Sequence, residues 1–450
     1  MTSTTYSAEV RLSLGTCLGF GVGTIGVSIM LNTVTAYFPA FMSTVLGQSP
    51  EIAGYLLMAS KLFDAFADIL IGRMSDRTKS RWGRRRPYLL AGAILSSASF
   101  LMLFAPPAMS EGLLIPYMAA ALILYSAGYS LFNVPYMTMP SEMTDGFHER
   151  TRLLSFRTIF VSIGQLLALA ATAALISRGG GGAPGYATMG LVMALVILAA
   201  MTATFLGTAN TAMIERTAAK PHLSGGQVAL LLKNRPFMLL LGAKVFQFLA
   251  FASIATTGLL FLLNVLGVGY QGQIVLTVSQ NLALALSMPL WVRLGRRIGK
   301  RSTYLIGVAI FCVTAASWLF AENGIGTVGL LVRGIVSGVG SGSLILMSVS
   351  MLGDTMAYDR ALTGLHREGL LSSIIAVIEK TAFALGVAIV GFLLHLAGYI
   401  PTFGGKIVAQ PVSAVHALYI GYAVIPILMF VANGAFLYFY DLDERKLRDA

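Results

Sequence analysis

The chain has 450 residues, of which 56% are hydrophobic and 11% charged, with a mean hydropathy of +0.78. Soluble domains carry about 25% charged residues, so this balance sets the soluble globular class aside and indicates an integral membrane protein. The net charge of +12 does not signal a nucleic-acid partner, because the basic residues cluster in every second loop.

Met1 to Leu14 is polar and the first apolar stretch is long enough to span, so no cleavable signal peptide is expected. Apolar runs then predict twelve spans, at 15–40, 51–73, 88–106, 113–139, 154–177, 188–208, 237–263, 271–292, 303–320, 326–352, 370–397 and 414–440. Arg11, the 73–86 loop, Arg150, Arg152 and Arg157, the 216–235 connector, the 293–301 loop, Arg360 and Arg367, and Arg445, Lys446 and Arg448 hold 25 of the 31 basic residues. The opposite loops hold only Arg178 and Lys406, which puts both termini on the cytoplasmic side. Lys61, Lys244, Arg333 and Lys380 lie within spans, and Lys244 and Arg333 are expected either to line a cavity or to snorkel.

Span two carries the most informative pattern. Asp64 and Asp68 are four residues apart in an otherwise apolar helix, with Lys61 on the same stripe. One ionisable group at the centre of a membrane helix costs roughly 2.5–3.5 kcal/mol, so the pair needs a compensating role. Two carboxylates facing a cavity suit a cation or a titratable proton, possible Na⁺ included. An ion pair that only holds helices together is the alternative.

An internal repeat joins the two halves. Gly83-Arg84-Arg85-Arg86-Pro87-Tyr88-Leu89 after span two resembles Gly299-Lys300-Arg301-Ser302-Thr303-Tyr304-Leu305 after span eight, six spans later, in a shared Gly-basic-basic-x-x-Tyr-Leu order, with coincidence among basic loops as the alternative. The expected organisation is a six-helix bundle over 1–208, a cytoplasmic connector over 209–236, a second bundle over 237–440 and a cytoplasmic tail over 441–450. A six-plus-six design with a central cavity is a transporter arrangement that works by alternating access.

The charged run Gly353 to Arg360, continuing to His366-Arg367-Glu368, is expected in the loop between spans ten and eleven. There it either pairs with Arg84–Arg86, Glu142 or Asp145, or is plainly solvated. Cys17 and Cys312 are isolated in apolar segments, and His148, His222, His366, His395 and His416 show no metal spacing. Gly338, Gly340 and Gly342 fit close helix packing rather than nucleotide binding. No nucleophile–base or metal constellation supports an enzyme, and no filter sequence supports a channel.

The loop Gly72-Arg73-Met74-Ser75-Asp76-Arg77-Thr78-Lys79-Ser80-Arg81-Trp82-Gly83-Arg84-Arg85-Arg86-Pro87 follows Asp64 and Asp68 directly. Asn133-Val134-Pro135-Tyr136, His148-Glu149-Arg150-Thr151-Arg152 leading to Arg157, and Lys380 complete a set that spans nearly the whole chain. This set resembles the glycoside–pentoside–hexuronide cation symporters of the major facilitator superfamily, of the melibiose permease type. The resemblance implies an all-α integral membrane fold of twelve transmembrane helices in two six-helix halves. It also implies cation-coupled symport of a glycoside or related small organic solute, with no cofactor and H⁺ or Na⁺ as coupling ion. The expected setting is a bacterial inner membrane, as a multi-pass monomer whose partners are the solute, the cation and the bilayer.

By the same resemblance Asp64, Asp68 and Asn133 bind the cation. Tyr129, Arg157 and Lys380 face substrate, Lys61 and Lys380 couple the two sites, and Asp76, Arg77, Arg81, Gly83, Arg84 and Arg85 form the cytoplasmic loop motif. The chain departs from the pattern in ways that matter. Asn133 replaces an acid, Ala67 replaces an amide, and the span-one and span-four sugar contacts fall on Ile25, Gly26 and Met137. The weakened oxygen set tilts the ion toward H⁺. The missing sugar contacts keep an amphiphile such as a lysophospholipid as an alternative substrate, and a proton-driven exporter as an alternative direction.

Overall fold

The computed structural model describes residues 12–144, 146–209, 211, 234–365, 367–442 and 446. Most of the expected connector and tail lies outside these residues. So do Arg11, Asp145, Arg216, Lys220, His222, His366, Arg445 and Arg448, and the side chain of His148.

The described residues form twelve long helices and no strand. They are α1 (Leu14–Thr44), α2 (Pro50–Arg77), α3 (Arg86–Phe104), α4 (Glu111–Met143), α5 (Phe147–Leu166, continued by Leu167–Ala171 and Thr172–Arg178) and α6 (Ala183–Gly207). After the connector come α7 (Arg235–Asn264), α8 (Gly269–Ile298), α9 (Lys300–Ser317), α10 (Thr327–Thr363), α11 (Glu368–Leu396) and α12 (Val412–Tyr419, continued by Ile420–Val424 and Ile425–Tyr438). Eleven of them are long and apolar enough to cross a bilayer. The twelfth, α2, is the one that carries Lys61, Asp64 and Asp68.

Helices reach further than the apolar runs that predict them. The charged run Gly353–Arg360 is not a loop: α10 continues through it and stops only at Gly364, whose φ of +66° ends the helix. Asp76 and Arg77 likewise form the last turn of α2 rather than part of the following loop. That loop turns at Gly83 (φ +85°), and the matching turn after α8 is the single Gly299 (φ +85°).

Two compact units arise from the chain's contacts. One contains Met1–Thr35 and Ser60–Ala219, the other Ala36–Ala59 and Lys220–Ala450. In the first unit, α1 and α6 approach closely where a Cβ on Gly19 would lie 2.7 Å from the Cα of Gly207, and Thr204 donates to the Gly19 carbonyl at 2.8 Å. Such small-residue seams let backbones pack where lipid offers no hydrophobic drive. Phe20, Tyr136 and Phe132 stack beside this seam, with centroids 4.5 and 5.3 Å apart.

In the second unit Phe311 and Phe430 pack at 4.5 Å amid Leu240, Trp291, Tyr304 and Leu344. The turn after α1 is tied to the segment after α11 by Thr402 N–H to Ser43 O at 2.8 Å and Gly404 N–H to Val45 O at 3.0 Å.

α5 and α12 each contain one π-helical turn, at Leu167–Ala171 and Ile420–Val424. A π-turn frees backbone carbonyls, and hydroxyls from neighbouring helices take them up. Thr33 of α1 donates to Ala168 O at 3.0 Å, and Ser253 of α7 donates to Gly421 O at 2.5 Å.

Candidate functional site

No Gly or Pro interrupts α2 between Tyr55 and Ile71, so the helix carries its charges through the span without a break. The i, i+3 spacing sets the Lys61 Nζ 3.3 Å from Asp64 Oδ2, and both residues are buried, at 6% and 1% exposure. The other Asp64 oxygen, Oδ1, is buried with no hydrogen-bond partner among the described residues. One turn on, half-buried Asp68 accepts a 2.6 Å hydrogen bond from Ser130 of α4. Ser60 and Ser126 join the same two helices at 2.8 Å. The ring of Tyr125 lies 5.9 Å from the Lys61 ammonium, and its hydroxyl is fixed on Met30 O at 2.8 Å.

Tyr129 is buried on α4 within electrostatic reach of Asp64, Asp68 and Arg157. Arg157 of α5 hydrogen-bonds the Tyr136 hydroxyl, which also pairs with Thr24 at 2.6 Å, while the Arg157 Nε is buried and unpartnered among the described residues. Asn133 is half-buried one turn beyond Tyr129. The first unit therefore brings Lys61, Asp64, Asp68, Tyr129 and Arg157 together around the α2–α4 seam. Ser130 and Tyr125 belong to this site and were not among the expected residues. Their signal is the pairs Tyr125/Tyr129 and Ser126/Ser130, each at i, i+4 like the aspartates.

The missing sugar contacts also have structural readings. A Cβ on Gly26 would meet Met201 Cγ at 2.8 Å, so that position packs on α6, and Met137 is 50% exposed. Trp291 and Trp318 are buried, and Trp291 donates to Val339 O at 2.9 Å.

Lys380 lies on α11 in the second unit, half-buried. Its neighbour Glu379 forms a 3.0 Å ion pair with Lys244 of α7, whose ammonium also sits 5.6 Å from the Phe248 ring. Lys244 is thus paired within its unit, and the Glu379-Lys380 dyad in an apolar run was the overlooked signal. Arg333 bonds Ser317 O at 2.9 Å and lies over Trp318.

The motif after α2 is a charged knot. Glu142 of α4 accepts from Arg84 at 2.9 Å and from Arg85 at 2.9 Å, while Arg85 also reaches Asp76 at 2.6 Å and Ser75 Oγ at 2.6 Å. Arg81 stacks over Trp82, which meets Phe205 edge-on, and Arg77 ends α2. In the second unit Lys300 pairs with Asp354 at 2.6 Å, and Asp359 takes Arg367 at 2.6 Å and Asn234 at 2.9 Å. The hydrogen bonds to Asp359 hold the Arg367 guanidinium even more firmly protonated than usual.

Twelve long helices, eleven of them apolar enough to cross a bilayer, with a buried ion pair on the twelfth, are the architecture of a membrane transporter. The family model described as "MFS/sugar transport protein" matches residues 19–444, and the chain belongs to that family. An uncharacterized symporter of Synechocystis is 28% identical, covering 98% of this chain and 96% of its own length. A glucuronide carrier protein homolog of Escherichia coli is 27% identical, covering 98% and 95%. The crystal structure of the nucleoside transporter NupG shares the fold, with a TM-score of 0.70 and 14% identity over 94% of this chain and 99% of that one.

Proposed function

We propose that this protein is a secondary active symporter that moves a glycoside or related small organic solute with a coupling cation by alternating access. The observation that carries the proposal is the buried Lys61–Asp64 pair with Asp68 one turn away, three charges that are costly at membrane depth. The likeness to a symporter of Synechocystis and a glucuronide carrier homolog of Escherichia coli supports it.

In this reading Asp64 and Asp68 hold the cation, with Asn133 beside them. Tyr129, Arg157 and Lys380 face the solute, and Lys380 with Lys61 links the two occupancies. H⁺ is the preferred ion, because Ala67 and Asn133 offer no charge and Lys61 already takes up Asp64 Oδ2. The protein needs no cofactor, and works as a monomer in a bacterial inner membrane with both termini cytoplasmic.

The test is uptake of a panel of radiolabelled glycosides into proteoliposomes. Asp68→Asn is expected to abolish uphill accumulation while sparing part of energy-independent exchange. Full concentrative uptake by both Asp64→Asn and Asp68→Asn would remove the proposal. An amphiphilic substrate is the second reading. It is favoured by the packing of Gly26 on Met201 and the exposed Met137, which leave span one and span four without a sugar contact. Lysophospholipid uptake in the same vesicles distinguishes it.

A further inference from the structure

Two carboxylates one turn apart would give α2 two negative charges, one buried and one half-buried. The Lys61 ammonium removes one of them, 3.3 Å from Asp64 Oδ2, with Lys61 6% and Asp64 1% exposed. An ammonium and a monovalent metal ion carry the same charge, and carboxylate oxygens bind both, as acceptors to the one and ligands to the other. We propose that Lys61 is a tethered cation: it fills one of two cation positions defined by Asp64 and Asp68, and so limits the site to one mobile monovalent cation. The proposal rests on the reading of these aspartates as the coupling site and adds what sets the number of ions.

Three observations bear on it. Asp64 Oδ1 is buried and unpartnered among the described residues, so the carboxylate has an oxygen ready for a second ligand. Asp68, one turn along α2, accepts a 2.6 Å hydrogen bond from Ser130 of α4. Tyr125 bounds the ammonium's place with its ring, and its hydroxyl is anchored on Met30 O, which fixes one wall of the position. With the ammonium gone, a buried carboxylate has lost its compensating charge, and a small metal ion or a proton restores it. A hard ion such as Na⁺ finds there both Asp64 oxygens, with Asp68 and the Ser130 hydroxyl a turn away.

The experiment counts cations on the purified full-length protein, without any solute. Radioactive sodium bound at alkaline pH is measured by equilibrium dialysis, and protons taken up on acidification by potentiometry. Lys61→Gln is expected to bind one more cation per protein than the wild type, Lys61→Arg the same number as the wild type, and Lys61→Gln/Asp64→Asn again the wild-type number. Na⁺ is expected to raise the melting temperature of Lys61→Gln and leave that of the wild type unchanged, which reads the site even if the variant is unstable without salt. Equal cation counts and equal Na⁺ response in Lys61→Gln and wild type overturn the proposal and leave Lys61 as a structural counter-ion. The underlying site reading fails on a different result, full concentrative uptake by both Asp64→Asn and Asp68→Asn.

Discussion

At the level of single residues, burial decides which charges matter. Glu142 is 4% exposed and takes both Arg84 and Arg85, so it compensates two of the loop's arginines from a buried position. Breaking a buried pair from one side costs on the order of 3–5 kcal/mol, because the remaining charge is left uncompensated. Glu142→Ala is therefore expected to lower the melting temperature of the detergent-solubilised protein markedly, whereas loss of the more exposed Lys446–Asp441 pair is expected to leave it unchanged.

Lys380 supports a different kind of prediction. If it links cation and solute occupancy, Lys380→Ala removes the dependence of solute binding on cation concentration, while Lys380→Arg keeps the charge but misplaces its donors. Solute binding titrated against pH and Na⁺ for both variants tests this. An unchanged cation dependence in Lys380→Ala reduces the residue to a structural charge. The sequence alone makes Asp64, Asp68 and Lys380 legible, since a charge in an apolar run stands out by composition. It cannot show that Ser130 holds Asp68 or that Lys244 meets Glu379, because those pairs depend on which helices become neighbours.

At the level of elements, apolar runs locate all twelve helices but not their ends. The tail of α10 reads as a loop by polarity, yet nothing in it stops a helix until Gly364, and Asp354, Asp359 and Arg360 pair with Lys300, Arg367 and Glu368. Helix-to-helix distance is legible only in hindsight: the seam of α1 against α6 depends on Gly19 and Gly207 being opposite each other. A side chain at Gly19 has 2.7 Å to the facing Cα, and that atom is backbone and cannot turn aside. Gly19→Val is expected to cost roughly 1–3 kcal/mol or more through forced separation of the helices. Thermal unfolding compared with Gly15→Val, where the nearest atom is the side-chain oxygen of Ser13 at 3.7 Å, isolates the effect of the seam.

At the level of the whole molecule, coupling to an ion gradient is the property that the site must deliver. With Asp64 partly engaged by Lys61 and no charge at Ala67 or Asn133, a proton needs one carboxylate where Na⁺ needs several oxygens. An imposed proton gradient is therefore expected to drive accumulation in proteoliposomes, and an imposed Na⁺ gradient at equal pH to drive little. Strong Na⁺-driven uptake would show that backbone carbonyls complete a metal shell here.

The two π-turns have a consequence for how this chain tolerates changes in length. Each holds one residue more than an α-helix needs, and the surplus is absorbed locally instead of rotating everything that follows. Elsewhere in a membrane helix, losing one residue swings the downstream half by about 100°, from 3.6 residues per turn, and turns its packed face to lipid. Within Leu167–Ala171 or Ile420–Val424, the same loss restores an ordinary helix with both flanking faces in place. α5 and α12 thus each contain a spare residue, kept in register by the hydroxyls of Thr33 and Ser253.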